Sequence, residues 1–333
     1  MPITIDSPSA PERVQMSSAA NPLVTIICPV YNEEECVPLF FERLKSSLAP
    51  LRSGYNFELI FTNNCSTDRT FEEIQKIRAT EPWVRVITLS RNFGYQASIM
   101  CGLRNAVGEA TIFIDVDCED PPEMIAQFLE HWRAGYDVVY GQRSARIENQ
   151  IIVALRKIFY RLTRSIADND FVLDMADFSL ISHRVRTVCL RNRSSYPFIR
   201  SEIGYAGFKR LGIQYTRARR IAGQTHYNLY RMTAFALAGI LSTSTFPLRF
   251  TAQVGVPLAA LNFLAMLAST IAGPFNLQPL LLIDLTVLLL AVVGLSLYTA
   301  RLYKDLVKRP LYIIDAACTS LGRDLIDDQG NAI

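Results

Sequence analysis

Residues 109–135 read EATIFIDVDCEDPPEMIAQFLEHWRAG. The apolar run ATIFI ends on two aspartates, Asp115 and Asp117, and a pair of prolines then precedes a segment of helical spacing. Such a run suits a strand buried on both faces, and Pro is favoured in the first turn of a helix. In an extended chain residues i and i+2 point to the same side, so both carboxylates are expected to reach one pocket. Two hard oxygen ligands suit magnesium or manganese, with water and diphosphate oxygens completing the shell. An isolated Asp-x-Asp is common by chance; its place at a strand end, followed by CEDPPE, is what singles this one out.

The same strand-then-helix unit repeats upstream. LVTIICPVY, FELIFTNN and VRVITLS read as strands, and CVPLFFERLKSSL, RTFEEIQKIRAT and YQASIMCGLRNAV as the helices that follow them. YDVVYGQR closes the series. Alternation of this kind predicts an α/β domain with a mostly parallel, Rossmann-like sheet covered on both faces. Ligands of such sheets bind beyond the carboxyl ends of the strands. The residues there are Pro29, Tyr31, Asn32 and Glu33, then Asn63 and Asn64, Arg91 and Asn92, and finally Asp115 and Asp117. Nearly all are polar, and their convergence predicts the site.

The second half differs in composition. No charged residue lies between Arg249 and Asp284, nor from Leu285 to Ala300. About 20 apolar residues are needed for a helix to cross a bilayer. Two crossings are therefore expected within 249–303, joined by a turn at AGPFNLQP; a buried hairpin would need a polar face that neither segment has. Arg249 precedes the first, while Arg301, Lys304, Lys308 and Arg309 follow the second. The positive-inside bias then predicts that both ends, and the N-terminal domain, face the cytoplasm; the expected location is a bacterial inner membrane.

Net charge is +3, yet 141–231 holds 17 Lys/Arg against 6 Asp/Glu. That third of the chain is built to meet anions. The seven cysteines form no CxxC pair and the histidines number three, so neither a zinc framework nor a disulfide scaffold is expected. Residues 1–21, rich in Ser, Pro and Ala, read as a disordered leader.

Six segments in order carry a resemblance: CPVYNEEE (28–35), NNCSTDRT (63–70), SRNFGYQAS (90–98), DVDCEDPPE (115–123), RIAGQTHYNL (220–229) and FPLR (246–249). With them the chain resembles the family 2 glycosyltransferases, in their polyprenyl-phosphate, dolichol-phosphate mannose synthase-like branch. The resemblance implies a GT-A fold, a divalent metal (Mg2+ or Mn2+), and inverting transfer of a sugar from a nucleotide-sugar donor. The expected donor is a UDP-hexose such as UDP-glucose, and the expected acceptor is undecaprenyl or dolichyl phosphate. By position it implies that Pro29, Tyr31, Glu33, Asn64, Arg91 and Asp115 bind nucleotide, with Asn64 reading the base. It places Asp115, Asp117 and Glu119 around the metal. Asp117 and Arg143 become the catalytic pair, and Arg143, Arg156, Lys157 and His226 hold the acceptor phosphate. The lipid bilayer is a partner, a homo-oligomer is compatible, and no nucleic acid is expected.

The sequence also departs from the family pattern. Asn63 and Asn64 stand where Asp-Asp is usual, Glu119 replaces a Gln, His226 a Lys, and Ser179 an Arg in DMADFSL. An amide oxygen can still accept from a base N–H. A lipid phosphate is already anionic, so it needs positioning and charge cancellation more than a general base.

Within 151–167, Ile151, Leu155, Ile158, Leu162 and Ile166 form one stripe, away from Arg156, Lys157, Arg161 and Arg164. The pattern fits a core-packed helix or one lying on an anionic membrane surface; the crossings downstream favour the second. The expected organisation is a cytosolic GT-A domain over 22–226, a juxtamembrane amphipathic helix over 227–248, the crossings, and a cytosolic tail over 304–333. Two rivals remain. A processive polysaccharide synthase would carry Gln-x-x-Arg-Trp, and neither Trp83 nor Trp132 sits in that motif. A catalytically weak nucleotide-sugar-binding subunit would account for Asn63, Asn64 and His226, but not for the retained Asp115 and Asp117.

Overall fold

Strand β1 (Leu23–Val30) is buried from Val24 to Val30. It pairs in parallel with β2 (Asn56–Asn63) on one side and β4 (Ala110–Phe113) on the other. A central strand covered on both faces has no polar side, which is why its sequence does not alternate. The structure, a computed structural model, describes residues 21–143, 175–192, 194–195, 197–218, 220–221, 246–273 and 278–333. Residues 1–20, the stretch 151–167 with Arg156 and Lys157, His226, and 227–245 lie outside them.

Strand β3 (Val84–Thr88) adds in parallel beyond β2. The full order is β3-β2-β1-β4-β6-β5-β7. Strand β6 (Met175–Ser182) runs antiparallel between β4 and β5 (Val138–Arg143), and β7 (Arg210–Tyr215) is parallel to β5. The sheet is thus the mostly parallel, mixed sheet of the GT-A type, with helices on both faces.

Helices α1 (Cys36–Leu48), α2 (Thr70–Thr80) and α4 (Ile125–Arg133) cover one face, where Phe40, Phe61, Phe128 and Phe178 share a core. On the other face α3 (Tyr95–Asn105) packs Ile99 and Leu103 with Ile27 and Phe113. Gly102 lets α3 approach: a Cβ there would fall 2.5 Å from Ile27 Cγ2. Helices α5 (His183–Cys189) and α6 (Ile199–Ala206) contribute Val185, Ile199 and Ile203 to that second core.

The acidic segment is not extended, as the i, i+2 reading requires. Strand β4 stops at Phe113, and a turn at 116–117 follows. Cys118 then takes a left-handed φ of 56°. Asp115 and Asp117 are neighbours on this turn, where the chain leaves the carboxyl end of β4 to reach α4, but they face different partners.

Helices α7 (Phe246–Ala272) and α8 (Gln278–Val307) contain apolar spans at Thr251–Ala268 and Leu280–Val307, with mean hydropathies of 1.5 and 2.6. No residue of the first span and 6% of those of the second are buried, which is the opposite of a hairpin enclosed in a soluble core. Both are long and apolar enough to cross a membrane. Asn262 on α7 donates to both carboxylate oxygens of Asp284 on α8, at 2.9 and 3.0 Å.

Beyond α8 the chain folds back along β3. Isolated antiparallel bridges join Leu89 to Ile314 and Val86 to Ser320. Tyr312 and Leu321 are buried against Ile60, Ile87 and Cys101. Arg323 pairs with Glu58 at 2.5 Å and donates to the Asn105 carbonyl. Residues 311–333 therefore cover the open edge of the sheet and tie α8 to it.

Candidate active site

The carboxyl ends of β1 and β4, with the amino end of the antiparallel β6, bring six carboxylates into one neighbourhood: Glu33, Asp115, Asp117, Glu119, Asp120 and Asp177. Asp115 accepts a hydrogen bond from the Tyr95 hydroxyl at 2.8 Å. Burial pushes its pKa up to about 7, with Asp177, Asp117 and Asp120 raising it further and the Tyr95 bond opposing them. Asp117 Oδ1 accepts from the Glu119 backbone N–H at 3.0 Å, which closes the turn.

Four arginines answer these carboxylates. Arg143 lies 3.5 Å from Asp120 Oδ2 and donates to the Tyr215 hydroxyl at 3.2 Å, while Tyr215 in turn bonds Asp120. Burial works against the Arg143 charge, but Asp120, Tyr215 and Asp177 together outweigh it and hold the guanidinium protonated. Arg200, on α6, forms a two-pronged pair with Asp177 at 2.7 and 2.5 Å. Arg220 reaches both Glu33 oxygens at 2.5 Å or slightly less and lies 3.6 Å from Asp117. Arg217 pairs with Glu119. The segment bearing these last two is strapped onto the acidic turn by backbone bonds, Ala218 to Glu119 at 2.9 Å and Ile221 to Asp117 at 3.1 Å.

Among the described residues six carboxylates thus face four guanidiniums, an excess that one divalent cation would balance. The chemistry of the donors suits magnesium or manganese. The three side chains Asp115, Asp117 and Glu119 are not gathered into a ligand cluster, since each is turned to a different partner; among the described residues no group of three His, Cys, Asp or Glu has ligating geometry.

The expected nucleotide residues divide. Pro29 is buried, and Tyr31 and Glu33 are half-buried, at the end of β1. Asn64 follows the end of β2. It is 4% exposed, its Nδ2 donates to Asn92 Oδ1 at 3.0 Å, and its Oδ1 accepts from Phe93 N at 2.9 Å. Asn63 is equally enclosed, with Oδ1 accepting from Ser66 N at 3.1 Å. Both amides shape loops. Arg91 lies over the Phe93 ring at 4.0 Å and lines a cavity that also takes in Tyr95, the hydrogen-bond partner of Asp115.

Asp120, Asp177, Tyr95, Arg200, Arg217 and Tyr215 escaped the sequence reading. Asp120 stood in the quoted CEDPPE, but nothing local marks it as buried. Asp177 and Arg200 sit on β6 and α6, elements whose short apolar runs follow a long unassigned stretch. Arg220 opened a recognised segment without an assigned role.

The Glycosyl transferase family 2 profile matches residues 25–198. An uncharacterized glycosyltransferase of Bacillus subtilis (strain 168), YkcC, is 34% identical over 92% of this chain and 97% of its own. A prophage bactoprenol glucosyl transferase homolog of Escherichia coli (strain K12) is 33% identical over 87% of this chain and 98% of its own. Among solved structures, the mannosyltransferase PcManGT from Pyrobaculum calidifontis in complex with GDP-Man and Mn2+ is 16% identical over 87% of both chains, with a TM-score of 0.44.

Proposed function

From the premise that the chain belongs to glycosyl transferase family 2, and is a glycosyltransferase, we propose that it moves glucose from UDP-glucose onto polyprenyl phosphate at a membrane surface. The observation that carries this reading is the acidic cluster with its four arginines, built on a domain that continues into two bilayer-length helices. The relative named as a bactoprenol glucosyl transferase homolog supports both the lipid and the sugar.

In this reading a lipid phosphate oxygen attacks the anomeric carbon from the face opposite the nucleotide. The bond from that carbon to the diphosphate oxygen breaks, and the nucleoside diphosphate departs with the electron pair. The product has inverted configuration. Asp115 and Asp117 would hold a magnesium or manganese ion, whose charge would offset that of the leaving diphosphate. Arg217 and Arg220 sit on the strap over the acidic turn, where they can exchange carboxylate partners for diphosphate oxygens. Guanidinium offers phosphate the same forked donors it offers carboxylate. Arg143, 38% exposed at its side chain, has its charge secured by Asp120 and can turn to the acceptor phosphate. Such preorganised charge is worth more in a partly buried site than in water. Tyr31 and Glu33 form the nucleoside side of the site, with Pro29 beneath them.

The basic end of α8, with Lys304, lies beside the catalytic domain, which supports a cytoplasmic placement. Mass spectrometry of lipid extracts, after offering the purified protein a panel of nucleotide-sugars with polyprenyl phosphate, tests the reading. It predicts one hexosyl-phosphate lipid made from UDP-glucose. Equal turnover of every donor, or none of any, would refute the specificity proposed.

A further inference from the structure

A cavity of about 880 Å3 lies between the catalytic domain and the last turns of α8. Phe93, Tyr95, Phe198 and Leu311 form its domain wall, and Ala300 and Tyr303 its helix wall. Three cations, Arg91, Lys304 and Arg309, also line it. An apolar chamber edged by positive charge suits a molecule with a greasy chain and an anionic head. The wall from α8 belongs to the apolar span Leu280–Val307, so the chamber continues directly from the part of the molecule able to sit in hydrocarbon.

Two further observations point to what the head would be. Tyr95 lines the chamber and also hydrogen-bonds Asp115, so the chamber abuts the acidic cluster through one side chain. Gln96, its neighbour, also lines the chamber. Its Oε1 accepts from Ile199 N at 3.0 Å, which fixes the orientation of the amide. Its Nε2 is buried without a hydrogen-bond partner among the described residues. A buried donor left unsatisfied is costly, and an anionic oxygen entering beside Tyr95 would satisfy it.

We propose that this chamber seats the phosphate-proximal isoprene units of the polyprenyl phosphate acceptor, with the phosphate at Gln96 and Tyr95 facing the acidic cluster. The proposal rests on the acceptor reading given above. The volume lies in the range of roughly 300–1,000 Å3 typical of small-molecule sites. It holds a short run of isoprene units, and the rest of the chain stays in the bilayer. Arg91 and the basic end of α8 then act on the lipid head instead of the nucleotide. Residues 311–333, bound along β3, hold the helix wall in place.

The test uses the full-length protein in detergent, with undecaprenyl phosphate and short citronellyl phosphate as alternative acceptors. Ala300→Trp fills the chamber from the exposed side of α8. It should raise KM for undecaprenyl phosphate by about tenfold or more, through loss of buried apolar contact. Phe198→Ala gives a second variant should the first fail to fold, as judged by its melting curve. Gln96→Leu should weaken both acceptors, because both present the same phosphate. A diazirine-bearing prenyl phosphate should label peptides within 91–97 and 299–311. Unchanged KM in well-folded variants, or labelling elsewhere, would overturn the chamber while leaving the acceptor reading intact. Displacement of the label by phosphatidylglycerol as readily as by prenyl phosphate would also overturn it, in favour of a phospholipid seat. A wild-type protein that uses neither prenyl phosphate would instead defeat the acceptor reading itself.

Discussion

Tyr95, the first residue of α3, donates its hydroxyl to Asp115 across the mouth of the sheet at 2.8 Å. The bond selects the ionised carboxylate against burial and three neighbouring acids. Tyr95→Phe should therefore lower kcat by about ten- to a hundredfold, the range expected when one hydrogen bond to a charged group, worth ~1.5–3 kcal/mol, is lost from a reacting site. KM for the donor should change little. Steady-state kinetics on purified protein check this, and an unchanged kcat would remove Tyr95 from the site.

The raised pKa of Asp115 has a thermodynamic consequence for the metal-free protein. Its folded value of about 7 lies above the ordinary 3.8, so the folded state holds the proton more tightly. Stability from this group is greatest below pH 3.8 and declines as pH rises to 7, where the ionised carboxylate is buried among others. A divalent cation relieves that repulsion and must compete with the proton below pH 7. Added Mn2+ should thus raise the melting temperature more at pH 8 than at pH 5.5. Equal shifts at both pH values would show that Asp115 does not take part in binding it.

Asp177 and Arg200 form a mostly buried pair, with side-chain exposures of 12% and 22%. Removing one partner strands the other, at a cost of roughly 3–5 kcal/mol. Arg200→Met should therefore lower stability strongly, and Asp177→Leu combined with it should recover much of the loss. Denaturant melts read this directly. If the pair also tunes the site through Asp115, the double variant should regain stability without regaining activity.

The C-terminal segment is a structural part of the domain. Tyr312 is 2% exposed, and its ring fills the core beneath β3. Tyr312→Ala should cost about 3–5 kcal/mol, as for other large aromatic truncations in cores. Limited proteolysis should then cut the 311–333 segment first. Resistance equal to that of the wild type would mean the segment is held by other contacts.

The parallel half of the sheet was legible because each of its strands is a continuous apolar run ending in polar residues, and each helix between them has one clear face. The acidic segment stood out in sequence as two aspartates ending an apolar run, but its geometry did not. Asp115 and Asp117 lie on a turn with Cys118 at positive φ, which strand periodicity cannot represent. Strand β6 was missed because its partners, β4 and β5, lie far from it in sequence and antiparallel insertion leaves no local mark. The Asp177–Arg200 and Arg217–Glu119 pairs have the same cause. Residues 304–333 read as a cytosolic tail with no fold, because the apolar residues of 311–325 that meet the core are too few and irregular to make a pattern. Asn64 took its base-reading role from the family resemblance; the sequence did not show that its amide also holds Asn92 and Phe93.

The central claim is transfer from a nucleotide-sugar to a lipid phosphate at the Asp115–Asp117 centre. Purified full-length protein should be incubated with radiolabelled UDP-glucose, Mn2+ and undecaprenyl phosphate, and the organic extract counted and sized. The account predicts a glucosyl-phosphate lipid that disappears with chelator and falls by about a thousandfold or more in Asp117→Asn, as for loss of a group that acts on the transition state. Label passing only to protein or water-soluble products, or a lipid product undiminished in Asp117→Asn, would contradict it.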